Sequence, residues 1–152
     1  MTGFFNNYLA FVRLYDFIKY VHLFSVNQLR MKKVYYLKTC DTSRRIIKEL
    51  DELLNDFEFQ EIKEQPLEVS QLEEMRERSG SYEKIFSKRA KKYKEMGLKD
   101  MSLTEEDFTY YLLQHYTFLK RPVIIIGDHL FAGSNKKDLN KLRQILKDEK
   151  EK

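Results

Sequence analysis

The chain has 152 residues, enough for one domain with a single core of ordinary size. Its net charge of +4 is too mild to argue for nucleic acid, and half of that excess sits in residues 1–30, where Arg13, Lys19 and Arg30 meet only Asp16. The single cysteine, Cys40, cannot form an internal disulfide, which points to a reducing cytoplasm.

Residues 1–30 form an atypical, aromatic-rich N-terminal extension, with Phe4, Phe5, Tyr8, Phe11, Tyr15 and Phe17 among its apolar positions. Arg13, Asp16, Lys19 and His22 recur at three-residue steps, a narrow polar stripe that suits a helix. Charges interrupt any apolar run near the ~20 residues of a membrane span, so no span is expected. A secretory signal is not expected either, for want of a basic start and a small-residue cleavage site. Three readings stay open: an interfacial helix, a helix docked on a partner, or an extension outside the natural product. The main domain is placed at 31–152.

The stretch from Val34 to Leu37 is β-branched and aromatic, and it runs into Cys40. Ile46, Ile47, Leu50, Leu53 and Leu54 then recur at helical steps. Cys40 is thereby expected on a strand-to-helix turn, beside amides that lack intrahelical acceptors. Such a position favours thiolate, the nucleophilic form, over a buried packing thiol. Thr42 and Ser43 offer hydroxyls to cap amides or bind an oxyanion, and Arg44 and Arg45 add charge nearby.

Beyond the break at Asn55-Asp56, Phe57 to Ile62 alternates as a half-buried strand, which Gln65-Pro66 ends. Strand, helix, strand implies a parallel crossover. Residues 69–116 read as helical. Ser70 is the candidate cap of the first helix with Glu73 three residues on, and Ser79-Gly80-Ser81 stops it. Tyr82, Ile85, Phe86, Ala90 and Tyr93 predict a second helix ending at Gly97, and Thr104 with Asp107 opens a third. The basic run from Lys84 to Lys94 reads as a solvated face, with anion steering as the alternative. Val123-Ile124-Ile125-Ile126 predicts a strand buried on both faces. Gly127-Asp128 turns it into a hairpin with His129 to Ala132. Leu139, Leu142, Ile145 and Leu146 mark a last helix, with a frayed tail from Lys147.

His22, His115 and His129 have no metal-ligand spacing, and no metal is expected. His115 is read as a packing or capping residue near a helix end. No Gly-rich phosphate loop or carboxylate pair stands out.

The predicted order, β-α-β then helices then β-β-α, resembles the thioredoxin-like α/β fold with a helical insertion between its halves. Cys40-Asp41-Thr42-Ser43-Arg44 resembles the Cys-x-Thr-Ser-Arg loop of the glutathione/glutaredoxin-coupled arsenate reductase (ArsC) family, with the Cys-Asp-Thr variant of its YffB-like branch. Tyr93 to Leu98 resembles the family's Tyr-x-x-Leu-Gly-Leu segment. Leu113-Gln114-His115 through Arg121-Pro122-Val123 resembles its Leu-Gln-His-Pro…Arg-Pro segment. The similarity runs from Met31 to about Leu146.

The resemblance implies a catalytic cysteine at Cys40, an external thiol that displaces the covalent adduct, and three arginines that hold the oxyanion. One arginine maps to Arg121. The second falls on Ser87, with Arg89 two residues away, and the third falls on or near Ala132. A trianionic substrate needs several guanidinium contacts, so these losses argue against efficient arsenate reduction. Thiol exchange with glutathione as co-substrate, or with glutaredoxin, is the leading expectation, acting on a small oxyanion or thiol substrate with no bound cofactor. Arg44, Arg89, Ser43 and Thr42 are expected helpers, and Pro122 is expected to follow a cis bond that sets Arg121 beside Cys40. The alternative is an Spx-like interaction protein without catalysis, with RNA polymerase as partner. Its usual Cys-x-x-Cys pair is absent because Ser43 stands three residues after Cys40.

Overall fold

The computed structural model describes residues 31–151, so the 1–30 extension and its candidate helix lie outside the described residues. Strand β1 (Lys32–Tyr36) leads through a turn into helix α1 (Asp41–Glu49), then back to strand β2 (Glu58–Glu61). β1 and β2 pair in parallel, with Val34 opposite Phe59. The helical insertion holds α2 (Val69–Ser79), α3 (Tyr82–Ile85), α4 (Lys91–Glu95) and α5 (Glu105–Gln114). Strand β3 (Val123–Ile126), strand β4 (His129–Ala132) and helix α6 (Lys136–Lys150) complete it. β3 runs antiparallel to both β1 and β4, which gives the sheet order β2-β1-β3-β4.

Alternation along the central strands assigns the two faces of the sheet. Val34, Ile124, Ile126 and Phe131 pack with Ile46 and Leu50 of α1 and with Leu139, Leu142 and Leu146 of α6. Tyr35, Val123 and Ile125 point the other way and are also fully buried. The insertion has its own aromatic core, in which Phe86 stacks on Phe118 at 5.2 Å and meets Phe108 at 4.9 Å. Burying each such side chain is worth about 1.5–3 kcal/mol.

Several predicted boundaries move, each for a physical reason. The α2 cap is Glu68 rather than Ser70: Leu67 is buried just before the helix, and the Gln71 side chain accepts from the Glu68 amide at 3.2 Å. The single helix expected from Tyr82 to Gly97 is two short ones. Between them Phe86 pairs with Leu119, Ser87 N–H donates to Phe118 O at 2.6 Å, and Lys120 N–H donates to Ile85 O at 2.8 Å. An extended staple to the chain before β3 therefore replaces a helical turn. The expected frayed tail is helical to Lys150, because Leu146 is buried and Lys150 Nζ donates to Glu52 O. Thr104 does cap α5, in reciprocal bonds with Asp107.

β2 departs most from its predicted alternation. Phe59 is 41% exposed and meets Tyr36 edge-on at 5.9 Å, whereas Gln60 and Glu61 are buried. Gln60 is held by the Gln71 side chain and the Gln65 carbonyl. Glu61 accepts from the amides of Lys38, Lys63 and Glu64 at 3.1, 3.0 and 2.8 Å, so one carboxylate clamps the turn that leads to Cys40. Burial pushes the Glu61 carboxyl up. The three amides and the Lys38 charge outweigh this and hold it below its usual value of 4.5.

A carboxylate lowered by folding stabilises above its unfolded pKa, and loses that contribution as pH falls through the folded one. We expect Glu61→Gln to cost about 1–3 kcal/mol at neutral pH. Urea melts should show that cost shrinking on acidification through the carboxylate range. A cost unchanged by acid would mean that shape, not charge, makes the clamp.

Candidate active site

Leu37 is buried and ends the β1 run, and the Cys40 amide donates back to Leu37 O at 3.0 Å. This tight turn makes Cys40 itself the N-cap residue of α1, with Arg44 N–H donating to the Cys40 carbonyl at 3.0 Å. The side chain is half-buried. Its thiol sits where the free amides of the first helical turn converge. Burial pushes the Cys40 thiol up. The Ser43 amide and hydroxyl, the Arg121 charge and the Thr42 amide together outweigh burial and hold it below its ordinary value. Ser43 Oγ is fully buried and makes no hydrogen bond of regular geometry. The backbone amides therefore carry more of the effect than the hydroxyl.

Arg121 reaches the site from the neighbouring strand, since it lies just before β3, whose Val123 pairs with Tyr35 near the end of β1. The Arg121–Pro122 bond is cis, and the Pro122 carbonyl accepts from Gly133 N–H at 2.9 Å, which ties the bond to the end of the hairpin. Arg121 lines the same cleft as Cys40 and makes no ion pair among the described residues. A guanidinium with no carboxylate beside a lowered thiol is a ready anion partner.

The cleft spans about 1110 Å³ and also holds Thr42, Ser87, Arg89 and Ala132. Of the sequence-predicted residues, Cys40, Thr42, Arg89 and Arg121 line this cleft, Ser43 is fully buried behind it, and Arg44 lies elsewhere. Arg44 does not line the cleft; it pairs with Asp41 one helical turn back on an exposed face. Arg45 likewise pairs with Glu49 at 2.7 Å. The short i,i+3 and i,i+4 spacings let these carboxylates take both arginines, so neither supplies the charge expected at the thiol. His115 caps the turn after α5, accepting from Thr117 N–H at 3.2 Å through Nδ1. Burial, then the charges of Lys92 and Arg121, hold it below the usual imidazole value.

Lys84, Lys88 and Lys120 also line the cleft, although no motif in the sequence marks them as site residues. The basic run was visible as charge, but periodicity alone assigned it to a solvated helix face. Among the described residues no group of His, Cys, Asp or Glu is placed to hold a metal ion, and no helix is long and apolar enough to cross a membrane.

Comparison with known proteins decides the family. The sequence model of the ArsC family matches residues 35–142. The chain belongs to the ArsC family. Membership places it in a thiol oxidoreductase family that includes arsenate reductases. An ArsC family related protein from Bacteroides fragilis superposes with a TM-score of 0.64 at 23% identity, over 74% of this chain and 98% of that one. A possible arsenate reductase from Streptococcus mutans gives 0.59 at 27%, over 73% and 98%. The arsenate reductase from Vibrio cholerae gives 0.61 at 17%, over 76% and 99%. These likenesses support the thioredoxin-like fold. No curated protein matches the chain.

Proposed function

We propose that this protein is a one-cysteine thiol oxidoreductase that forms a mixed disulfide at Cys40 with a small external thiol, glutathione being the leading candidate. The observation that carries this reading is the Cys40 thiol, lowered at a helix start and faced by the unpaired Arg121. The Cys40 thiolate attacks one sulfur of a disulfide; a new S–S bond forms as the old one breaks, and the leaving thiolate takes a proton from solvent. With no second cysteine in the chain, release needs another thiol, from glutathione or from glutaredoxin. Arg121 and Arg89 hold the anionic part of the substrate, and the Thr42 and Ser43 amides hold charge on sulfur. This chemistry requires no bound cofactor or metal and suits a reducing cytoplasm.

Arsenate is the discriminating substrate. Ser87 and Ala132 stand where the family resemblance implies arginines, and both face the cleft. We expect weak or undetectable arsenate reduction with glutathione and glutaredoxin. The double variant Ser87→Arg with Ala132→Arg should raise it about tenfold or more, the scale of one charge-assisted contact. Robust turnover by the unaltered protein would show that Arg89 and the lysines already supply those contacts.

A further inference from the structure

The parallel ladder between β1 and β2 stops one rung short of the turn that carries Cys40. Tyr36 stands opposite Glu61, and the Ile62 amide donates to Tyr36 O at 3.0 Å. In a continuing parallel ladder the Lys38 amide would donate next to Ile62 O. It donates instead to Glu61 Oε1 at 3.1 Å. The other carboxylate oxygen accepts from the Lys63 and Glu64 amides. A side chain thus takes the last rung, and both chains leave the sheet while staying tied to each other.

The tie falls inside the turn itself. The Cys40 amide donates back to Leu37 O, and among the described residues only glycines have positive φ. Leu37-Lys38-Thr39-Cys40 is therefore a type I turn with Lys38 at its first central position. Glu61 is 7% exposed, so these charge-assisted bonds are made out of water, where they are strongest. Two residues on, Cys40 opens α1 with its sulfur beside the Ser43 and Thr42 amides. Rotation of the Lys38 peptide would swing that sulfur, since only Thr39 lies between.

We propose that Glu61 is a positioning residue for Cys40: its carboxylate fixes the turn that aims the sulfur at the Thr42 and Ser43 amides. The proposal rests on Cys40 being the reacting thiol. Glu61 itself sits on the edge strand and does not line the cleft. The sign of its effect separates positioning from charge. A carboxylate acting on a thiol through charge alone disfavours thiolate, so removing it would lower the midpoint of alkylation against pH. Removing a carboxylate that positions the sulfur raises that midpoint.

The test follows iodoacetamide alkylation of the full chain against pH, with mass spectrometry to fix the site. Glu61→Gln sets an amide NH2 against backbone amides that need an acceptor. We expect it to raise the midpoint by about half a pH unit or more, which is about threefold less thiolate near neutral pH. Glu61→Asp keeps the charge but falls short of the three amides, and should raise it too. That variant carries the test if Glu61→Gln fails to fold. Adding Lys38→Pro to Glu61→Gln should restore the midpoint, because proline presets the first central position of the turn without an amide. Glu64→Gln removes a neighbouring charge, keeps its own amide and should leave the midpoint in place. A midpoint unmoved or lowered in both Glu61 variants overturns the positioning role alone. So does a rise that Lys38→Pro leaves in place, which would trace to general loosening. A native midpoint at or above that of a free thiol overturns the oxidoreductase reading, and the role of Glu61 with it.

Discussion

Cys40→Ser will abolish mixed-disulfide formation while leaving the melting transition in place, since the side chain is half-buried and serine preserves its volume and its place at the helix cap. The same thiol in the native protein should react with iodoacetamide faster than a free thiol near neutral pH. A lowered pKa means that the thiolate fraction at a given pH is larger, so the rate-against-pH curve shifts to lower pH. Its midpoint should fall below the ordinary thiol value of about 8.5. Arg121→Gln removes one of the lowering influences and should move the midpoint back up. Ser43→Ala should raise it less, because the Ser43 amide remains. Arg44→Gln should not move it, as that guanidinium pairs with Asp41 outside the cleft. A native midpoint at or above the free-thiol value would make Cys40 a packing residue and bring the interaction-protein reading forward. Parallel effects of Arg44→Gln and Arg121→Gln would mean that net charge, not local geometry, sets the thiol.

The contrast between Arg44 and Arg121 shows where sequence reasoning reached the site and where it stopped. Cys40 was legible because a strand pattern and a helical pattern abut there, and their junction dictates free amides beside the thiol. Arg121 became legible through resemblance, as the residue before Pro122. Arg44 was misplaced because proximity in sequence is not proximity on a helix: its side chain leaves the first turn toward Asp41. β2 was legible as a strand but not in its facing. The exposed Phe59 and the buried Glu61 reverse the hydrophobic rule, because edge position leaves Phe59 to Tyr36 while three loop amides claim Glu61. The break between α3 and α4 was invisible for a related reason. Tyr82, Ile85, Phe86 and Tyr93 satisfy a helical period, but the pairing that interrupts it comes from Leu119, more than thirty residues away. Non-local backbone bonds of this kind leave no mark in local periodicity. They also hold residues 85–87 beside the chain that leads to Arg121.

That staple makes Phe86 the residue whose loss should cost most in stability. It is 1% exposed, with its ring stacked on Phe118, tilted against Phe108 and edge-on to Tyr93 at 6.0 Å. Truncating such a ring removes its burial and leaves a cavity that neighbours close only in part, at about 3–5 kcal/mol. Against a total stability of about 5–15 kcal/mol this is a large fraction. We expect Phe86→Ala to lower Tm by roughly 10–20 °C, and Phe86→Leu by less than half as much. The loss should be local before it is global. Phe86 anchors residues 85–87 against residues 118–120, so hydrogen exchange should quicken first at the Ser87 and Lys120 amides, which donate across the staple. Val34 and Ile124 lie in the separate cluster under α1 and α6 and should stay protected longest. Equal acceleration at all four amides would show instead that insertion and sheet open as one cooperative unit, and the staple would then be as stable as the sheet itself.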